Sequence, residues 1–589
     1  MTVEKLITDH IDIWSSALQT RSTGGRGSNG KIDLYGIKKL RELILELAVR
    51  GKLVPQDPND EPASELLKRI AAEKAELVKQ GKIKKQKPLP EISEDEKPFE
   101  LPVGWEWVRL AEAFDVRDGT HDTPKYQISG YPLVTSKNLS SGRLDLSDIK
   151  YISEEDYKKI NERSFVERGD VLFAMIGSIG NPVVIDIDDE FSIKNVALFK
   201  YYKKELSQPY FLKNVLEALS VNLKIASSGG VQPFVSLGAL RNIVIAFPPL
   251  EEQRRIMMKL SELMSLCDQL EQQSLTSLDA HQQLVEILLA TLVDSQNAED
   301  LTENWARISQ HFDTLFTTEA SIDALKQTIL QLAVMGKLVP QDPNDEPASE
   351  LLKRIEQEKA QLVKEGKIKK QKPLPPVEFE EHPFSLPDSW EYVRLHNIAS
   401  LIGGFAYKSS SFIKDSKYQV LRMGNIRPDQ IRMDENPVFI SDSVANDTSD
   451  YKLVSKDIVL TMTGTKGKRD YLYSAIIPDG LSRTLYLNQR ICKVNVIMAN
   501  AEFVNILMKS NSLLDVIYKQ STGTANQANI SMQSLSAWVI PLPPLKEQNL
   551  IVKLSTELLL LCDQLKSRLQ SAQQTQLHLA DTLTDAALN

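Results

Sequence analysis

The sequence predicts an α+β protein of two similar halves, in which two globular mixed α/β domains are separated by long helices. A 20-residue stretch, Gly51–Ile70, recurs letter for letter at Gly336–Ile355. Two unlike segments, rich in β-branched and turn residues, follow the two copies. Each segment leads into a helical pattern with apolar residues three and four positions apart. The chain is therefore an internal repeat whose constant parts frame two diverged inserts.

Each copy of the repeated frame predicts two helices and a basic tail. The first helix covers Ile37–Val49, or Ile322–Val334 in the second copy, and a glycine that favours helix termination follows both. The second helix begins at Pro62 or Pro347, because proline is tolerated in the first turn of a helix. A solvated linker and a phosphate-contacting strap are both open interpretations of the tails. The basic tails are Lys82–Pro90 and Lys367–Pro375.

Short motifs mark the start and the end of each insert. A leading motif, Leu-Pro-x-Gly-Trp or Leu-Pro-x-Ser-Trp, ends at Trp105 and Trp390, and a trailing motif, Pro-Pro-Leu-x-Glu-Gln, ends at Gln253 and Gln548. A long helix follows each trailing motif, and the first spans roughly 65 Å at about 1.5 Å per residue. Apolar spacing predicts a coiled-coil seam on both helices. The seam residues are Ile256, Leu260, Leu263, Cys267 and Leu270 on the first, and Ile551, Leu554, Leu558, Leu561 and Leu565 on the second.

These markers divide the chain into alternating constant and variable segments. The predicted segments are an N-terminal helix with a flexible linker (1–31), the first frame (32–97), the first globular domain (98–247), the central long helix (248–293), a linker (294–318), the second frame (319–382), the second globular domain (383–542) and the distal long helix (543–589).

Composition and missing motifs limit the functions open to the chain. No apolar run approaches the ~20 residues that a membrane span needs, and three cysteines cannot form a disulfide framework, which favours a reducing cytoplasm. The net charge of −9 lies mainly in the repeated parts, so charge neither supports nor excludes DNA binding. No phosphate-binding loop or methyltransferase motif occurs, and the seven histidines lack metal-ligand spacing. We expect a chain that is not a catalyst and carries no metal or cofactor of its own.

Polar side chains at the strand-to-turn corners of the inserts are the candidates for reading DNA. Arginine suits guanine, and asparagine or glutamine suits adenine. Because Asn138 and Asn425 occupy matched positions in the two inserts, either could instead be a structural turn residue. The candidates are Lys137, Asn138, Ser178 and Lys194 in the first insert, and Arg422, Asn425, Lys466, Lys468, Arg469 and Gln527 in the second.

A constant frame around two unlike inserts resembles the specificity (S) subunit of type I restriction-modification enzymes. The leading motifs, the trailing motifs and the Leu-Cys-Asp-Gln-Leu sequence in both long helices carry this resemblance, which covers nearly the whole chain. The near-exact repeat and the N-terminal extension look most like the IB branch of the family. The resemblance implies that each insert is a target recognition domain for one half of a split, asymmetric DNA sequence. It also implies that the long helices pack antiparallel as a spacer.

The resemblance further implies partner subunits that supply the chemistry. Two methylation (M) subunits would dock on the repeated frame with S-adenosylmethionine, and motor-nuclease (R) subunits would add ATP and Mg for cleavage. The specificity subunit is then needed for both adenine methylation and restriction of double-stranded DNA. Two equivalent frames agree with two copies of one partner. A rigid spacer agrees with half-sites about one turn of DNA apart, on the order of 10 base pairs.

Two other functions compete with DNA recognition. A duplicated coiled-coil scaffold that binds proteins without DNA is the main alternative. The diverged, β-rich inserts disfavour it, because a scaffold has little reason to keep two similar frames around two unlike inserts. A fused enzyme is disfavoured by the missing catalytic motifs.

Overall fold

The computed structural model describes residues 3–21, 31–177, 179–206, 208–227, 234–524 and 526–588. The chain forms two compact units, and each unit combines segments that are distant in sequence. Unit 1 comprises Met1–Leu18, Leu34–Ser274 and Thr575–Asn589, and unit 2 comprises Gln19–Asp33 and Leu275–Gln574. Each unit therefore holds one frame, one insert and part of both long helices.

The first frame, in unit 1, contains both predicted helices, the first of which begins two residues before the predicted Ile37. Its first helix runs Tyr35–Val49 and its second Ala63–Lys79, with Pro62 as the N-cap residue. The predicted apolar face of the first helix is buried. Gly51 has a φ of +67°, which lets the chain turn away after the helix at no steric cost to glycine. Two short helices at the N-terminal side are Val3–Thr8 and Ile11–Ser16.

The first insert is built on two sheets that share a core. The larger is antiparallel, and the smaller contains one parallel pair, Tyr131–Val134 with Ser192–Ile193. The strand after the leading motif, Glu106–Arg109, pairs with Val244–Phe247 before the trailing motif, so the insert begins and ends at one place. The larger sheet has the order Asp115–Asp118, Val196–Lys200, Val171–Ala174, Gly180–Val184, and the smaller is completed by Lys150–Ile152. The helices are Leu110–Ala113, Glu154–Ser164, Pro209–Ser227 and Leu237–Asn242.

The second insert, in unit 2, repeats this plan with additions. The strand Glu391–Arg394 pairs with Val539–Leu542, and a mixed sheet contains the parallel pair Tyr418–Leu421 with Thr484–Leu487. The larger antiparallel sheet has the order Ala399–Gly403, Ile491–Val496, Ile458–Thr461, Ser474–Ile476. The other strands are Phe412–Ile413 and Phe439–Ile440 in the mixed sheet, the pair Ile426–Arg427 and Gln430–Ile431, and the sheet Thr463–Gly464, Gln527–Asn529, Thr522–Thr524. The helices are Leu395–Ile398, Asp442–Asp447, Ala501–Leu507, Asn511–Tyr518 and Met532–Ala537. The α+β fold class is confirmed.

The second frame shows one difference from the predicted bounds. Its helices run Glu319–Val334 and Ala348–Lys364. The first begins before the predicted Ile322 because Thr318 caps it: the Thr318 hydroxyl accepts from the Ser321 backbone N–H at 3.1 Å, and the Ser321 hydroxyl accepts from the Thr318 N–H at 3.2 Å. Unit 2 also contains the helices Ala298–Gln310 and Phe312–Leu315 and the strands Gln19–Arg21 and Lys31–Asp33.

The two long helices run Leu250–Asp294 and Leu545–Leu588. On the first, Ile256, Leu260, Leu263 and Cys267 form the predicted buried stripe, while Leu270 is half-buried. On the second, the predicted seam residue Leu561 is wrong: it is 60% exposed, whereas Cys562 is only 5% exposed. A straight α-helix has 3.6 residues per turn, so a strict 3.5-residue repeat drifts off the buried face. No helix in the described part of the chain is long and apolar enough to cross a membrane.

Candidate nucleic-acid interface

A hydrogen-bonded latch joins the first frame to both ends of its insert. The Trp105 indole N–H donates to the Glu252 carboxylate at 3.0 Å. The Gln56 side-chain amide donates to the same carboxylate at 3.1 Å and to the Gly51 carbonyl at 2.7 Å. Burial raises the pKa of Glu252, although both donors favour its charged form. One side chain from the trailing motif thus fixes the leading motif and the frame.

The same latch occurs in unit 2. Trp390 donates to Glu547 at 2.9 Å, and Gln341 donates to that carboxylate at 2.5 Å. A Cβ atom on Gly336 would lie 2.6 Å from the Pro387 side chain, and one on Gly51 meets its own leading motif as closely. Part of the exact repeat is therefore required by packing inside each unit. The sequence offered a signal for this role, since a tryptophan, a glutamate and a glycine recur at matched places.

A second clamp attaches the end of the basic tail to each insert. The Arg109 guanidinium donates to both carboxylate oxygens of Glu96 at 3.0 Å, and its Nε donates to the Pro90 carbonyl at 2.7 Å. Arg394 makes the matching contacts in unit 2, with Glu381 and the Pro375 carbonyl. Bidentate pairs of this kind favour an ionised carboxylate. The hydrogen bonds from Arg109 accordingly lower the pKa of Glu96 to about 2.

This clamp predicts a pH-dependent contribution to stability. The pKa of Glu96 is lowered from 4.5 to about 2 in the folded chain, so its pairing with Arg109 stabilises the protein above pH 4.5 and is lost as the pH falls toward 2. We expect the parent chain to exceed Glu96→Gln in urea resistance at pH 6, with the difference shrinking below pH 4.5. A difference that is constant across this range would show that ionisation of Glu96 is not involved.

One end of the larger sheet of the second insert gathers a set of polar loops. The strand register places Gly403, Thr461, Ser474 and Ile491 at this end. The segments that leave it are 404–411, 462–473 and 488–490. The strand Gln527–Asn529 pairs with Thr463–Gly464 on one side and with Thr522–Thr524 on the other. We call these segments the recognition loops of the second insert. Their exposure and polar character fit contact with a nucleic acid.

The first insert has an equivalent loop end. At one end of its larger sheet, the four strands terminate at Asp118, Ala174, Gly180 and Val196. In both inserts, a glycine at this end of the sheet lies very close to a neighbouring backbone segment. A Cβ atom on Gly119 would lie 2.1 Å from the Ile193 carbonyl oxygen, and one on Gly404 would lie 1.9 Å from the Asn488 carbonyl oxygen. The two inserts therefore share a scaffold beneath unlike loop sequences.

The close approach of Gly404 predicts a strong effect from a single methyl group. Gly404→Ala forces the 488–490 segment to shift, and we expect the free energy of unfolding to fall by about 1–3 kcal/mol. Gly403→Ala is the matched control, because its Cβ would lie 3.6 Å from the Met532 sulfur, an ordinary contact. Urea unfolding of the full chain measures both. Equal stability of the two variants would contradict the close approach.

Comparison with known proteins identifies the family. The family described as "Type I restriction modification DNA specificity domain" matches residues 102–280 and 387–572. The EcoAI specificity subunit of Escherichia coli, a type I restriction enzyme subunit, is 51% identical, and the alignment covers 100% of both chains. The chain belongs to the type I specificity subunits.

Two further proteins are similar to the chain. The EcoEI specificity subunit of Escherichia coli is also 51% identical, with 100% of both chains covered. A solved HsdS subunit from Thermoanaerobacter tengcongensis is 16% identical, with a TM-score of 0.38 over 84% of this chain and 98% of that chain. By its family, this specificity subunit is a DNA-recognition component and not itself a catalyst.

Four candidates of the second recognition domain lie together on the recognition loops. Lys466 and Lys468 are exposed, and neither has an ion-pair partner among the described residues. Arg469 is paired with Asp515 at 2.5 Å and stacks on the ring of Tyr518. The fourth is Gln527, which is exposed on its hairpin strand.

The structure adds residues that sequence reasoning missed. Arg490 is exposed between two strands of this specificity subunit, and its carbonyl accepts from the Met462 N–H at 3.0 Å, beside the loop of Lys466. Gln489 is exposed next to it. The polar triplet Asn-Gln-Arg between two hydrophobic strands was the available signal. Arg422 lies nearby, since the Asn488 N–H donates to Leu421, and its guanidinium donates to the Asn436 carbonyl.

Fewer of the candidate residues of the first recognition domain lie together at its loop end. The Lys194 N–H donates to Val134 at 2.9 Å, which places it at the loop end, and its ammonium contacts the Thr123 hydroxyl. Lys137 follows the same strand and pairs with Asp148. Ser178 lies outside the described residues.

Asn138 and Asn425 are buried, and their side chains close turns within their own domains. Asn138 is 6% exposed and Asn425 only 2%. The Asn425 side-chain oxygen accepts from the Arg422 N–H at 3.0 Å, and its amide nitrogen donates to the Arg432 carbonyl at 3.0 Å. Asn138 makes the matching bonds around Thr135 and Asp145. With both amides buried and satisfied, the alternative role of a structural turn residue holds in both recognition domains.

Proposed function

We propose that the two recognition domains, 98–247 and 383–542, read the two halves of one asymmetric, bipartite DNA target. The observation that carries this proposal is the shared scaffold with unlike loops. Gly119 and Gly404 make the same close approach, and Asn138 and Asn425 hold the same turn. The loops above this scaffold differ, so each domain presents different donors and acceptors to base edges.

Within each domain, we assign contacts by side-chain chemistry. Lys466 and Lys468 suit phosphate groups, because they are exposed ammonium groups. Arg422 and Gln527 suit base edges in the second half-site, with Arg469 alongside them. In the first half-site the matching candidates are Lys137 and Lys194, while Ser178 stays an untested candidate.

The remaining parts of the chain position the domains and recruit partners. The long helices act as an antiparallel spacer that sets the half-site separation near one turn of DNA, on the order of 10 base pairs. Two methylation subunits dock on the two frames, and motor-nuclease subunits complete the complex, with S-adenosylmethionine, ATP and Mg on those partners. The chain then serves adenine methylation and restriction in the cytoplasm. Equivalent frames support equivalent docking sites.

Domain exchange tests this function. The first domain, 98–247, is replaced by the corresponding segment of the EcoAI specificity subunit, and methylated adenines are mapped in cells that express the chimera with the methylation subunit. We expect one half of the methylated sequence to change while the other half stays. The reciprocal exchange of 383–542 is the matched control and should change only the other half. If a stable, methylating chimera keeps both halves, the assignment is wrong.

A further inference from the structure

The two copies of the frame differ unevenly along their length. Gly51–Ile70 is identical to Gly336–Ile355, and Gly81–Pro90 is identical to Gly366–Pro375. Between these stretches, at 71–80 and 356–365, four of ten positions differ, and all four are exposed in both copies. Recent copying of one whole frame onto the other would have erased this divergent block. Exposed positions of the frame can therefore differ between the two copies. The exposed residues of the flanking stretches are the same in both copies, and this sameness needs another cause.

The identical tail contains charges that the protein itself does not use. Lys84, Lys85 and Lys87 are exposed, and among the described residues none has an ion-pair partner. Lys369, Lys370 and Lys372 in the second copy are alike in both respects. We call 82–87 and 367–372 the lysine straps. Without an internal partner, these six ammonium groups do not stabilise the fold through ion pairs.

Each strap is nonetheless held at both ends. The Lys82 N–H donates to the Leu77 carbonyl at 3.0 Å, and beyond the strap the Pro90 carbonyl accepts from Arg109 at 2.7 Å. The Lys74 ammonium also bonds to the Gln86 side chain at 3.2 Å. A segment fixed in this way presents its charges in one arrangement, which reduces the entropy lost when a partner binds.

The position of the straps disfavours contact with the DNA that the recognition loops would bind. Lys74 donates to the Ala111 carbonyl at 2.8 Å, and Arg109 immediately precedes the helix that contains Ala111. The strand Asp115–Asp118 then runs from this end of the domain toward the loop end. The same order holds in unit 2, where Arg394 donates to the end of the tail and Lys359 donates to the His396 carbonyl, both ahead of the strand Ala399–Gly403. In each unit, the anchored end of the strap lies at the opposite end of the sheet from the recognition loops.

We propose that the lysine straps are docking sites for an acidic surface of the methylation subunit, one copy on each strap. This inference rests on the proposed function, which provides two identical protein partners for two near-identical frames. Clustered lysines with no internal partner complement a surface rich in Asp and Glu, and such contacts mainly govern orientation and association rate. Because the straps are exposed, the interaction weakens as salt screens it.

The test compares two fourfold variants of the full chain. In the strap variant, Lys84, Lys85, Lys369 and Lys370 are changed to glutamine. In the control variant, four exposed lysines outside the frames, Lys158, Lys159, Lys452 and Lys456, are changed to glutamine. Affinity for the purified methylation subunit is measured at 50 and 500 mM salt. We expect the strap variant to bind about tenfold more weakly at low salt, with most of the difference gone at high salt, and the control variant to bind within about twofold of the parent.

A second measurement separates the protein partner from DNA. The assembled complex of each variant, at saturating methylation subunit, is titrated with target duplex over a range of salt. The inference predicts an unchanged salt slope for the strap variant. Unchanged assembly together with a smaller slope would overturn it in favour of phosphate contacts. Equal assembly of strap variant, control and parent overturns it as well, whereas a parent chain that binds no methylation subunit would overturn the proposed function instead.

Discussion

Changing Lys466 and Lys468 to glutamine should weaken DNA binding by about tenfold or more near physiological salt, for target and non-target duplexes alike. Each exposed lysine that neutralises a phosphate releases about 0.9 of a counterion. Losing two contacts therefore makes the negative slope of log affinity against log salt shallower by about two. Fluorescence anisotropy with labelled duplexes, on the chain assembled with its methylation subunits, measures affinity and slope together.

A matched pair of lysines controls for the loss of charge. Lys452 and Lys456 are exposed and precede the strand Ile458–Thr461, at the end opposite to the recognition loops. Their change to glutamine removes the same charge from the same domain, and we expect the salt slope to stay within about 0.3 of the parent value. If both double variants reduce the slope equally, the binding surface does not lie at the loop end.

Trp105→Ala should produce the largest loss of stability, about 3–5 kcal/mol in the free energy of unfolding. The Trp105 side chain is buried, and its removal also leaves the Glu252 carboxylate without one donor. Trp105→Phe separates the two causes, because it keeps most of the apolar contact. We expect it to cost about 1–3 kcal/mol, the usual penalty for a buried polar group that loses its partner. Urea unfolding of the full chain gives both values.

Trp107 supplies the control for the latch. It lies on the strand Glu106–Arg109, two residues after Trp105, is half-buried, and packs on Phe99 with ring centroids 4.9 Å apart. Trp107→Phe keeps an aromatic contact and should change stability by less than about 1 kcal/mol. A Trp105→Phe variant as stable as Trp107→Phe would mean that the bond to Glu252 makes no net contribution.

Helices and their limits could be predicted because their signals are local. Gly51 follows the end of the first helix of the frame within two residues, and Pro62 directly precedes the second. Capping and backbone preference act at those positions directly. The seam of the second long helix failed at Leu561 for a physical reason as well. Its leucine run, Leu558–Leu561, offers several apolar faces, and tertiary packing selected the one that contains Cys562.

The candidate site could be predicted only in part, because sheets join residues that are distant in sequence. Nothing local indicates that Ile491 pairs with Thr461, yet this pairing brings Arg490 to the start of the loop that contains Lys466. Asparagine is equally suited to reading adenine and to closing a turn, and only burial separated these roles at Asn425. Exposed lysines were found from the sequence, while the arginine between strands was not.

The pairing of the first and last strands of each insert has an evolutionary consequence. Val108 lies opposite Ile245, and Val393 lies opposite Ile540, so each insert leaves and rejoins the frame through neighbouring strands. The latch residues are 147 positions apart in the first half and 157 in the second, yet the latch is the same. Length and sequence between the two strands can therefore change without disturbing the frame. If each insert reads its own half-site, as we propose, a new specificity can arise by replacing one insert whole.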